Sequence, residues 1–311
     1  MMDAAHGQQV DYDEFGLFDE NIAEFALMID SIPAVERVSV EAADGTGRVV
    51  SALRWGVEPV DIVFVHGGAQ NAHTWDTVAL ASGRPALAVD LPGHGHSGWR
   101  SDGAYTPQNL ADDIAQVVRA HAPTARLVVG MSLGGLTSMQ LAVRHPDLVR
   151  RLVLVDITPG VNREKAKAVL DFVDGPQEFA SFADLLGRTI EFNPTRSESS
   201  LRRGILHNAA QRPDGSWHWR YDRSSHVRSR DLEEVDGSTE SASPLWDDFS
   251  AVTAPLTLVR GSLSPVVDDD DVAEARRRQP EIEVVVVDGA GHSVQGDRPV
   301  ELAAILGARL G

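Results

Sequence analysis

Gly130-Met131-Ser132-Leu133-Gly134-Gly135 places a serine between small residues at the junction of two unlike segments. Ahead of it, Leu127–Gly130 reads as a short buried strand. Behind it, Leu133–Arg144 reads as a helix that stops near Pro146, because proline lacks the N–H a helix needs. A strand that turns sharply into a helix can hold a serine outward only if its neighbours have little or no side chain. The hydroxyl then stands at the carboxyl edge of a sheet, with the positive end of the next helix aimed at it. Ser132 is therefore the candidate nucleophile.

Two further segments extend this reading. His66-Gly67-Gly68-Ala69 follows the strand Ile62–Val65 directly. A loop in that place can offer a backbone N–H to a developing oxyanion, so Gly68 is paired with the N–H of Leu133 as the donor set. His66 is read as a brace for its loop. Near the other end, Gly289-Ala290-Gly291-His292 follows the last strand. A neutral imidazole in that loop faces the serine and can take its proton and return it to a leaving group. His292 is the candidate base.

Around these segments strands and helices alternate. Val35–Glu41, Arg48–Trp55, Ala86–Val89, Leu152–Val155, Leu256–Val259 and Ile282–Val287 read as strands. Pro107–His121, Asp270–Gln279 and Pro299–Leu310 read as helices. Short apolar strands separated by helices imply a mostly parallel sheet covered on both faces. Residues 1–34 read as a leader with a short helix over Ala23–Ile29. Residues 35–158 and 244–311 make the core. Residues 159–243 interrupt it with helices over Arg163–Phe172, Phe179–Phe192 and Ser197–Ala210, a turn at Asp214-Gly215, and a polar loop over 223–243. This block reads as an inserted helical cap, whose Arg202, Arg203, His207, Asn208 and Arg220 are candidates to bind a carboxylate.

Together these residues resemble the α/β-hydrolase superfamily over roughly residues 35–158 and 244–311. Asp90-Leu91-Pro92-Gly93-His94-Gly95-His96-Ser97 and Trp75 add to the likeness in structural roles. The resemblance implies an α/β-hydrolase fold with a mostly parallel eight-stranded sheet, helices on both faces and the cap in the usual slot. It also implies an acid in the loop after the seventh strand. Here that loop is Gly261-Ser262-Leu263-Ser264-Pro265, and Ser264 holds the acid's position. Asp156, at the end of strand six, is taken as the replacement, since neighbouring strand ends can reach the same imidazole. A member of the Asp268–Asp271 run, chiefly Asp268, and a serine–histidine dyad helped by Ser264 or water are the alternatives. Asp268–Asp271 otherwise serves to cap a helix.

Composition narrows the function. The chain has 311 residues, 42% of them hydrophobic, with 28 Lys and Arg against 46 Asp and Glu, a formal charge of −18. Such a surface disfavours nucleic acid and anionic membrane as partners. The absence of cysteine removes disulfides, thiolate metal sites and cysteine nucleophiles. Metal and cofactor are both expected to be none. The start of the chain has no apolar signal region, so a cytoplasmic location is expected. The residues point to a cofactor-independent serine hydrolase that opens a small, moderately hydrophobic ester, thioester or lactone through an acyl-enzyme. A homo-oligomer is compatible with this. Carbon–carbon bond hydrolysis or lyase chemistry on the same scaffold, and a non-catalytic ligand receptor, are the other readings.

Overall fold

The computed structural model describes residues 10–223 and 243–310. Its core strands are β1 (Val35–Glu41), β2 (Val49–Trp55), β3 (Ile62–Val65), β4 (Ala86–Val89), β5 (Leu127–Met131) and β6 (Leu152–Val155). Within the insertion lie β7 (Glu178–Phe179), β8 (Ala209–Gln211) and β9 (Trp217–Trp219), and the core resumes with β10 (Leu256–Gly261) and β11 (Glu283–Val287). The core strands form one eight-stranded sheet in the order β1-β2-β4-β3-β5-β6-β10-β11. β2 runs antiparallel to both β1 and β4, and every other neighbouring pair is parallel.

The sequence explains this layering. β3, β4 and β6 are four-residue apolar strands buried along their whole length, which requires cover on both faces. Successive side chains alternate between the faces. Val63 and Val65 of β3 pack with Leu110, Ile114 and Val117 from the helix Pro107–His121 and with Met139 from the helix Leu133–Arg144. Ile62 and Phe64 face the opposite layer, with Trp75, Leu80, Leu302 and Leu306. Trp75 stacks on Phe64 with centroids 4.8 Å apart, so it has the structural place expected of it.

The insertion is only partly helical. Lys167–Val173, Phe182–Phe192 and Glu198–Asn208 are helices, the last two capped by the hydroxyls of Ser181 and Ser197. Phe179 and Ala209–Ala210, expected to be helical, instead belong to a three-stranded sheet of order β7-β9-β8. The cause is the alternation in Trp217-His218-Trp219: both tryptophans are buried, and a lone extended segment must pair its backbone. Gly215, at φ +88°, makes the turn that folds β9 back on β8. Most of the loop expected over 223–243 lies outside the described residues.

The leader differs as well. Its helix covers Phe18–Glu24 rather than Ala23–Ile29. Phe18 is buried against Trp55, with ring centroids 4.8 Å apart, whereas Met28 in the apolar run is 98% exposed. Tertiary contact, not local apolar density, fixes where this helix forms. No helix among the described residues is long and apolar enough to cross a membrane.

Candidate active site

β5 sits between β3 and β6, so the parallel strands bring the loops after β3, β5, β6, β10 and β11 to one sheet edge. Ser132 stands at that edge with φ +52° and ψ −123°, a conformation that costs a non-glycine residue about 1–3 kcal/mol. The flanking glycines make it achievable. A Cβ on Gly130 would lie 2.3 Å from the carbonyl oxygen of Gly134 and 2.5 Å from Ser138 Oγ. One on Gly134 would lie 2.3 Å from the carbonyl oxygens of both Val65 and His66. The turn is therefore cramped on both sides, against its own helix and against β3. The amides of Gly135 and Leu136 donate to the Ser132 carbonyl and lock the serine onto the helix start.

Ser132 and His292 line one cavity of about 270 Å³, together with Gly67, Gly68, Met131 and Phe172. No hydrogen bond joins the serine to the imidazole among the described residues; catalytic contacts of this kind often close only with substrate bound. On the far side of the ring, His292 Nδ1 is 2.8 Å from Asp156 Oδ2. Asp156 is fully buried and, like Ser132, has a positive φ, +52°. Its Oδ1 accepts the Gly261 N–H at 3.0 Å, and its Oδ2 also accepts the Ser264 hydroxyl at 2.5 Å. A buried carboxylate needs such donors on both oxygens. The serine in the customary acid position thus donates to the acid that stands one strand away.

The other acid candidates go elsewhere. Asp268 caps the helix Asp269–Arg278 in a reciprocal box with Asp271, and both carboxylates lie 3.0 Å from Lys165 Nζ. Asp288, four residues before His292 and not one of those candidates, accepts from Ser262 Oγ at 3.3 Å.

Among the described residues, neither the Gly68 N–H nor the Leu133 N–H donates to a protein acceptor. The neighbouring amides are occupied: Gly67 N–H donates to Gln70 Oε1 and Ala69 N–H to His94 Nε2. His66 braces the loop. It accepts the Leu91 N–H on Nε2 at 2.9 Å, so Nδ1 carries the proton and donates to the Gly67 carbonyl at 2.7 Å. Burial pushes its pKa down, against the attraction of Asp90, and keeps it neutral. Asp90 is equally structural, accepting from Arg37, the Ala72 N–H and the His96 N–H.

The insertion's five carboxylate-binding candidates are already engaged. Arg202 pairs with Glu20, and Arg203 with Glu24. Asn208 donates to the Ala69 carbonyl, Arg220 to the Ala209 carbonyl, and His207 contacts the Tyr12 hydroxyl. Spacing along a helix gave no sign of these partners, because they come from the leader, the core and, for Arg220, a strand of the insertion itself.

One grouping has the composition of a metal site: His73, Asp76 and His207, all buried, with ligand atoms within 4.8 Å of one another. The sequence separates them by up to 134 positions, so no motif announces it. Its geometry is that of a charge network. His73 Nδ1 is 2.9 Å from Asp76, its Nε2 is 3.2 Å from Glu14, and its ring stacks on His207 at 3.8 Å and 7°. Parallel rings hold parallel lone pairs, so one ion cannot lie in both ring planes. Burial disfavours the His73 cation, but the carboxylates of Asp76 and Glu14 outweigh it and raise its pKa to about 9.

Residues with a place in the site that the motifs did not reveal are Asp297 and Thr195. Asp297 accepts the Gly291 N–H at 2.7 Å, beside His292, and the Thr195 hydroxyl at 3.0 Å, so it ties the histidine loop to the insertion.

Known proteins resemble this chain in sequence and in fold. The chain is 47% identical over 301 residues to esterase Rv0045c of Mycobacterium tuberculosis, covering 94% of each protein. A solved structure of that esterase superposes with a TM-score of 0.83 at 45% identity, covering 97% of this chain and 99% of the other. The 2-(acetamidomethylene)succinate hydrolase of Mesorhizobium japonicum is 30% identical over 268 residues, 83% of this chain and 91% of that protein. The family model described as the alpha/beta hydrolase fold matches residues 62–299, and the chain belongs to that family.

Proposed function

We propose that the chain is a serine esterase acting on small esters, with Ser132 as nucleophile, His292 as base and Asp156 as the acid that orients it. The observation that carries this reading is the Asp156–His292 contact of 2.8 Å at the wall of the cavity that also holds Ser132. A carboxylate on Nδ1 fixes the tautomer that leaves Nε2 free to accept a proton. His292 then takes the Ser132 proton as Oγ attacks the ester carbonyl. The Gly68 and Leu133 amides hold the oxyanion, a donor pair whose members are each typically worth about 2.7–4 kcal/mol in the transition state. The tetrahedral adduct collapses, His292 protonates the departing alkoxide, and the acyl group remains on Ser132. Water, deprotonated by His292, releases the acid and restores the serine.

A cavity of about 270 Å³ is small for a ligand site and favours short acyl groups. The names of the relatives point the same way: one is an esterase, and the other hydrolyses a small acid. Residues 159–243 serve in this proposal as a cap over a core of 35–158 and 244–311, with residues 1–34 as leader, acting in the cytoplasm. The test is labelling by a fluorophosphonate together with turnover of 4-nitrophenyl butyrate. Both are expected in the native protein and absent in Ser132→Ala; persistence of either in that variant would overturn the assignment.

A further inference from the structure

The acyl cavity abuts a second cavity of about 130 Å³, and Ala69, Gln70, Phe172, Asn193 and Ser293 line both. Arg196 lines the second one. Its side chain differs from the other cations around the site. Lys165 is held by Asp268 and Asp271, and Arg203 by Glu24 and Asn21. Arg196 makes no ion pair among the described residues. Its one side-chain hydrogen bond among the described residues runs from Nη2 to Ser200 Oγ at 2.6 Å. Its Nε–H is out of solvent and has no acceptor among the described residues. A buried guanidinium donor without a partner is costly, and arginine does not relieve the cost by losing its proton.

We infer that Arg196 is an anion-binding residue and that the second cavity receives the carboxylate of an acidic ester, such as a half-ester of a dicarboxylic acid, whose ester group lies at Ser132. This rests on the esterase reading above.

The surroundings agree with the assignment. The guanidinium lies against Gly296, where a Cβ would be 2.9 Å from Cζ, so the cation is seated beside the short helix Val294–Asp297 that follows His292. Asp297 attracts it through space, but that carboxylate is already taken by Thr195 and Gly291. Asp76 also lines the cavity; its Oδ2 is met by His73, while its Oδ1 has no hydrogen-bond partner among the described residues, so the anion must seat on the Arg196 side. A planar guanidinium with open N–H groups matches a carboxylate in geometry as well as in charge. Burial pushes the Arg196 pKa down, which an incoming anion would reverse. The shared walls set the second cavity directly beside the one that holds Ser132.

The experiment compares kcat/KM for 4-nitrophenyl butyrate and 4-nitrophenyl hemiglutarate in the native protein, Arg196→Gln and Arg196→Lys. The acidic-to-neutral ratio is expected to fall roughly tenfold or more in R196Q, the usual consequence of losing a charged hydrogen bond, and to recover largely in R196K. In parallel, calorimetry of Ser132→Ala with glutarate is expected to show millimolar or tighter binding that R196Q abolishes. A ratio unchanged in R196Q, or no glutarate binding to S132A, overturns the inference. If neither ester is turned over and Ser132 resists the fluorophosphonate, the esterase reading fails, and the glutarate titration still decides the anion site.

Discussion

Replacing Asp156 by Asn tests how the acid works with almost no change in shape. In the native site Oδ1 accepts from Gly261 N–H, and Oδ2 accepts from both Ser264 Oγ–H and His292 Nδ1–H. An amide cannot satisfy all three. With its oxygen toward Gly261, its NH2 group faces two donors. Ser264 can rotate its hydroxyl and become an acceptor; the imidazole can comply only by moving its proton to Nε2. That tautomer points an N–H at Ser132 and cannot take its proton. With the amide flipped, NH2 meets the Gly261 N–H, which has no freedom to turn, and a buried donor is stranded for about 1–3 kcal/mol. The first state disables the base; the second keeps the tautomer, but at that cost and with no negative charge beside the imidazolium that forms as Ser132 gives up its proton. The expected loss is roughly 10⁴ in kcat, as for acid-to-amide changes in other triads, which corresponds to about 5 kcal/mol of transition-state stabilisation. The assay is initial-rate hydrolysis of 4-nitrophenyl butyrate, with urea unfolding to establish that the variant is folded. Asp156→Asn combined with Ser264→Asp, which returns a carboxylate to the customary position, is expected to regain part of the lost rate. A folded D156N variant that keeps more than about a tenth of the native kcat would refute the tautomer argument.

Other expectations follow from the packing. Asp268→Ala removes a helix cap and should cost about 0.5–2 kcal/mol in urea unfolding while leaving kcat within twofold, separating capping from catalysis. Gly134→Ala forces a methyl to within 2.3 Å of two carbonyl oxygens, so the helix must shift from β3, with about 1–3 kcal/mol lost in unfolding and a larger fall in turnover. His73, raised to about 9 from its ordinary 6.5, adds stability that is fully present below pH 6.5 and lost as pH rises through about 9. Urea midpoints between pH 6 and 9.5 should therefore fall in the native protein, and that slope should flatten in His73→Gln. Phe172→Ala, at the wall between the two cavities, should move the preference toward longer acyl chains in a series of nitrophenyl esters.

The parts of this protein that can be read from its sequence are those fixed locally. The strands Ile62–Val65, Ala86–Val89 and Leu152–Val155 are continuous apolar runs between breakers, and the elbow is a turn whose glycines are needed within a few residues of each other. The order of those strands then carries Ser132, Gly68, His292 and Asp156 to one edge. What stays hidden depends on partners distant in the chain. The helix over Phe18–Glu24 forms where Phe18 finds Trp55, and β8 forms because β9 needs an edge to pair with. Arg202 and Arg203 look available on a helical wheel, yet acids of the leader engage them; Arg196, a few residues earlier, makes no ion pair among the described residues and escapes notice for lack of any motif.

The contacts of the leader bear on how the site can open. Tyr12 reaches His207 in the insertion, while Glu14, two residues on, is bound to Arg37 and His73 of the core. One short stretch of backbone therefore stitches the insertion to the core. Lifting the insertion off the leader breaks the Tyr12–His207 contact, and pulling the leader from the core strips the buried His73 imidazolium of one of its counter-charges. Trimming the protein back past Glu14 would loosen the doorway rather than merely shorten the tail.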